Sequence, residues 1–73
     1  MWRVETNHSL YGLQTVIAEE VGESPGVFPG GLYGVEARIG ASKAQIAAVR
    51  KRLEAGGHKV AVTRIHLGGD DED

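Results

Sequence analysis

The 73-residue chain contains no cysteine. A disulfide framework and a thiolate metal site are therefore both excluded, and whatever core the chain builds has to hold without cross-links. Aromatic residues make up only 5%, and histidine occurs three times. None of His8, His58 and His66 has a His or carboxylate partner at the spacing that metal motifs use, so a metal site would have to be assembled from distant positions. Also missing are the Gly-Lys-Ser/Thr of a phosphate loop and the Gly-x-Ser-x-Gly of a nucleophile elbow. With no nucleophile paired to a base, the sequence reads as a protein that is not an enzyme and takes no cofactor. No apolar run has the length of a signal sequence or a transmembrane helix, so membrane insertion is not expected and a cytoplasmic location is the default.

Strong charge of either sign is lacking too. Eight Lys/Arg against ten Asp/Glu give −2, and four of the acids, Asp70, Asp71, Glu72 and Asp73, end the chain. Setting them aside leaves eight bases against six acids, a formal +2. Such a body has no broad basic field, and direct nucleic-acid binding is not expected.

What is present suffices for one domain. With 41% hydrophobic residues the chain is too apolar for disorder, yet its length lies near the lower limit for an unaided core. A single domain over residues 1–67 and a flexible acidic tail over 68–73 are expected.

Trp2, Val4 and Thr6 alternate with Arg3 and Glu5, the period of a half-buried strand. Asn7 or Ser9 can then cap a helix whose Leu10, Leu13, Ile17 and Val21 recur at helical spacing, and Gly22 ends it. Gly12 argues against that helix, since glycine inside a helix costs ~1 kcal/mol relative to alanine. The second half repeats the order: Tyr33, Val35, Ala37 and Ile39 alternate as a strand, and Ser42 with Gln45 has the spacing of a capping box. Ile46, Val49 and Leu53, padded by Ala47, form the core stripe of a second helix, which Gly56-Gly57 stops. In the last strand Val60 and Val62 differ in parity from Ile65 and Leu67, which predicts either a strand buried on both sides or a bulge near Thr63-Arg64.

Between the halves lies ESPGVFPGGLYG, Glu23 to Gly34, with both prolines and a cluster of glycines. A strand follows it where a phosphate loop needs a helix, so a turn is the better reading. Val27 and Phe28 are expected to form a short edge strand that reverses through Pro29-Gly30-Gly31 into Leu32 to Ile39. The result is an α+β, two-layer, ferredoxin-like βαββαβ fold: a four-stranded antiparallel sheet with two helices on one face.

In a two-layer fold the uncovered sheet face is a candidate binding surface. Parity assigns Arg3, Glu5, Glu36 and Arg38 to it, with Arg64 and His66 from the last strand, and Tyr33 is the aromatic candidate. Lys43, Arg50, Lys51 and Arg52 on the second helix form a candidate patch for an anionic partner. Asp70 to Asp73 form a candidate tail for a basic one.

The stretch YGVEARIGASKAQIAAVRKRLEAGGHKVAVTRI, Tyr33 to Ile65, resembles the latter half of SPOR domains. The matching features are a strand ending in Gly40, an Ala-rich helix, Arg52-Leu53 ahead of Gly56-Gly57, and a last strand from Lys59 to Ile65. WRVETNHS is similar to that family's opening strand at Trp2, Val4 and Glu5, but has Asn7 and Ser9 where the family has a glycine and an aromatic. The resemblance implies a βαββαβ module whose open sheet binds peptidoglycan glycan strands, with the groove around Glu5, Glu36 and Arg38.

The leading expectation from the residues is a small binding module acting by protein-protein interaction, through the open sheet face or as a homodimer. Glycan binding is the alternative from the resemblance. A third reading is an acidic inhibitor of the kind phages or mobile elements encode to block a host nucleoprotein or nucleic-acid-binding site.

Overall fold

The structure, a computed structural model, describes residues 1–65. His66 and the acidic run Asp70 to Asp73 lie outside the described residues. The elements are β1 (Trp2–Thr6), α1 (Leu10–Val21), β2 (Val27–Gly30), β3 (Gly34–Ile39), α2 (Lys43–Ala55) and β4 (Val60–Arg64). The strands form one antiparallel sheet of order β2-β3-β1-β4. This is the small ferredoxin-like α+β fold that the sequence predicts. The short β2 is part of it, with Val27 opposite Ala37 and Phe28 opposite Glu36.

Local chemistry sets the helix ends. Ser9 Oγ accepts from Gly12 N–H at 2.9 Å to start α1, and Gly22, at φ 89°, ends it in the left-handed region. At α2 the capping box is complete: Ser42 Oγ accepts from Gln45 N–H at 3.1 Å, and Gln45 Oε1 accepts from Ser42 N–H at 2.9 Å.

The core lies between the sheet and both helices. Val4, Ala37 and Ile39 from the sheet meet Leu13, Val16 and Ile17 of α1 and Ile46, Val49 and Leu53 of α2. Both helices therefore cover the same sheet face. The Trp2 indole N–H donates to Ala41 O at 2.9 Å and ties the start of β1 to the approach of α2. Thr6, fully buried, is satisfied as an acceptor for His8 N–H at 3.3 Å.

Four expectations change. The reversal expected at Pro29-Gly30-Gly31 falls at Gly31 to Tyr33, because Pro29 and Gly30 still pair with Val35 and Gly34, and β3 begins at Gly34 where Leu32 was expected. On α1 the buried stripe runs through Val16 where Leu10 was expected, and Leu10 is exposed, because the helix presents its 13-16-17 edge to the sheet. Ala47 of α2 is exposed, the stripe Ile46-Val49-Leu53 being sufficient to fill the layer. The bulge near Thr63-Arg64 is absent: β4 keeps unbroken register with β1 from Val60 to Arg64 and stops before Ile65. The parity conflict arose from counting residues beyond the strand's end.

Candidate functional site

Since Trp2, Val4 and Thr6 serve the helix side, Arg3 and Glu5 point to the open side. Register completes two rows there: Phe28, Glu36, Glu5 and Ala61 across the four strands, and Arg38, Arg3 and Thr63 across three. Glu5 stands directly opposite Glu36, and Arg3 opposite Arg38. Like charges so placed repel unless something else neutralises them.

For the carboxylates that something is the β2–β3 turn, Gly31 to Tyr33. Leu32 N–H donates to Glu5 Oε2 at 2.7 Å, so the turn bends onto the open face over the two acids. Gly31 makes the bend possible. Its φ is +79°, and a Cβ there would lie 2.9 Å from Glu5 Oε2 and 3.1 Å from Glu36 Oε1. Glu36 is buried, and its Oε2 meets Arg38 Nη2 at 3.3 Å. The Arg38 guanidinium is 6.0 Å from the centre of the Phe28 ring, at the limit of a cation–π contact. Arg3 is treated differently. Its Nε is enclosed and has no acceptor among the described residues.

The other predicted site residues are dispersed. Arg64 stands opposite Trp2, on the helix side of the sheet, with its guanidinium 5.0 Å from the indole centre, so it is not part of the open face. Tyr33 sits half-exposed in the β2–β3 turn. The basic patch of α2 is divided. Arg52 bridges to Glu19 (2.7 Å) and Glu20 (3.2 Å) of α1, and Arg50 pairs with Glu54 at 3.2 Å, which leaves Lys43 and Lys51 exposed.

Sequence reading missed the pairing of His8 with His58. Their rings stack at 3.9 Å between centroids, 13° from parallel. Ser9 N–H donates to His8 Nδ1 at 2.8 Å, and Lys59 N–H donates to Asn7 Oδ1 at 3.0 Å, so the two loops are knitted together. Gly12 follows from this arrangement, because a Cβ there would fall on the His8 imidazole. Burial, then the nearby His58, lowers the His8 pKa from 6.5. The folded state thus binds the His8 proton more weakly than the unfolded chain does. Stability from this site is complete above pH 6.5 and is lost as the pH falls below 6.5 toward the lowered value. Thermal melts across that range are expected to show a falling midpoint, and His58→Gln to flatten the slope; equal slopes would remove the stack as the cause.

The sheet edges differ. Ile65 N–H donates to Met1 O at 2.9 Å, and with the β1–β4 register this turns the backbone of Ala61 and Thr63 toward β1. Val60 and Val62 then direct their N–H and C=O groups to the outer edge, and no further strand covers that side among the described residues. By the same alternation carried through β1 and β3, the outward positions of β2 are Val27 and Pro29. Proline has no N–H to offer. Thus, among the described residues, β2 is a blocked edge and β4 an open one.

Among the described residues there is no pocket, no group of three or more metal-ligating side chains, and no helix long and apolar enough to cross a membrane. No protein-family model, curated protein or solved structure matches the chain.

Proposed function

We propose that the protein is a non-enzymatic binding module that acts by protein-protein interaction, pairing with a second copy of itself through the outer edge of β4. The observation that supports this is the asymmetry of the edges. Exposed edges are ordinarily blunted by proline, bulges or inward charge. Here β2 is blunted by Pro29, whereas β4 carries Val60-Ala61-Val62-Thr63 in regular register, free of glycine, proline and bulge.

The edge is self-complementary. A two-fold axis beside Ala61 sets Val60 of one copy opposite Val62 of the other, and their outward backbone groups then exchange hydrogen bonds in an antiparallel ladder. The pairing also covers Val60 and Val62 side chains that are only half-buried in one copy. A chain with so small a core gains from that burial.

Light scattering tests the reading. The wild-type chain is expected at twice its 7.8 kDa mass at micromolar concentration. Val62→Pro removes an outward N–H while leaving the β1 ladder its donors, and is expected at monomer mass with its circular dichroism kept. Val60→Pro repeats the test at the first residue of the strand, where proline is best tolerated. A monomeric wild type, or a dimer that survives both substitutions, overturns the proposal.

A further inference from the structure

We infer that the stacked imidazoles of His8 and His58 form an acid-sensitive catch between the β1–α1 and α2–β4 loops, which holds the start of β4 and opens when His8 takes a proton. The catch is complete within one copy. Its effect on association rests on the proposed pairing through β4.

Geometry fixes the state for which the catch is built. Ser9 N–H donates to His8 Nδ1 at 2.8 Å, so that nitrogen carries no proton and the ring is the neutral Nε2–H tautomer. A Cβ at Gly12 would fall on the ring, and His58 covers a face of it at 3.9 Å, so the ring has little room to turn. A proton on His8 has to enter at Nδ1, where it sets one donor against another. With His58 charged as well, two like charges stand at stacking distance. A proton on His58 alone does neither, and it lies just past the carbonyl end of α2, where a cation is favoured. Among the described residues nothing around His8 offsets its charge. β1 presents the Thr6 hydroxyl, and Glu5 is turned to the open face as acceptor for Leu32 N–H. The first turn of α1 has the exposed Tyr11 and no acid. Near the end of α2, Glu54 is paired with Arg50, and Arg52 with Glu19 and Glu20. The α2–β4 loop adds Lys59, a further positive charge.

What the catch controls follows from chain order. Lys59 N–H donates to Asn7 Oδ1 at 3.0 Å, and Val60, next in the chain, opens β4 opposite Thr6. When the rings part, the two loops lose the contact that keeps Asn7 beside Lys59, and the first pair of β4 frays. Val60 is one of the two residues whose outward backbone groups make the proposed ladder between copies. A two-fold pair sets each Val60 opposite a Val62, so fraying acts on that ladder twice. The sign follows from the proton balance: with the catch closed, burial and His58 make His8 bind its proton more weakly than the open chain does, so closure is complete above pH 6.5 and is lost as the pH falls below it.

Two measurements on the full-length chain separate the catch from the pairing. Long-range 15N–1H spectra of the histidine rings at about pH 7.5 are expected to show His8 with a bare Nδ1 and a protonated Nε2. Amide exchange, corrected for the intrinsic effect of pH, is expected to show Lys59 losing protection about tenfold or more between about pH 7.5 and about pH 5, while the buried Val49 of α2 keeps its own. His8→Gln and His58→Gln are expected to flatten that dependence, and His66→Gln, at the third histidine, to keep it. A protonated Nδ1 at the higher pH, Lys59 protection that merely follows Val49, or a dependence that survives His8→Gln or vanishes in His66→Gln overturns the catch. The dimer Kd, from light scattering over a dilution series, is expected to rise across the same range in the wild type and to stay level in His8→Gln. A level Kd in the wild type while Lys59 loses protection overturns the control of association. A chain that is monomeric at every pH overturns the pairing alone, since the ring and amide signals decide the catch without it.

Discussion

Ile17→Ala is expected to remove much of the stability of the chain. Ile17 is fully buried in the layer where α1 meets the sheet and α2. Truncating such a residue costs roughly 2–5 kcal/mol, as lost transfer energy plus the cavity left behind. A domain of this length commands only roughly 4–11 kcal/mol in total, at ~0.05–0.15 kcal/mol per residue. The variant therefore retains at best a thin margin. Urea denaturation followed by the fluorescence of the single tryptophan, Trp2, measures it. A loss under about 1 kcal/mol would contradict a core closed around Ile17. The comparison has to be made at one protein concentration, because a dimer adds stability that rises with concentration.

Gly31→Ala is the second large effect, and it acts on the open face. At φ +79° alanine is strained, at a cost on the order of 1–3 kcal/mol. The new methyl would also press on Glu5 Oε2 and Glu36 Oε1, which lie 2.9 and 3.1 Å from its place. The turn must lift, and the Leu32–Glu5 hydrogen bond goes with it. Gly26→Ala is the control, since a Cβ there meets nothing within 4 Å. Urea midpoints are expected to fall for the first and stay nearly level for the second. Equal midpoints would mean that the turn is not held against the face.

Much of the fold was legible because it is written locally. Alternation at Trp2 to Thr6, the Ser42-Gln45 box and the glycine after each helix report the backbone within a few residues. The open face was half legible for the same reason, as parity places Arg3, Glu5, Glu36 and Arg38 together. What parity leaves out is where a strand ends. Arg64 was assigned to the open side on a phase that belongs to residues after β4, and its register partner Trp2 puts it on the other side. The His8–His58 stack, the turn folded onto Glu5 and the Glu19/Glu20 clasp on Arg52 join segments far apart in sequence. Only Gly12 carried a signal of this. A glycine inside an otherwise good helix marks a neighbour that needs the space, and that neighbour is the ring of His8.

The proline at position 29 bears on how far any association can run. A sheet with two available edges is divalent, and its copies can add end on end without limit. With Pro29 facing outward from β2, each copy has a valence of one. The proposed pairing through β4 would use that single valence, and growth would stop at the first step. In polymer terms Pro29 is a chain terminator built into the monomer, and the closed pair is the longest product the sheet allows.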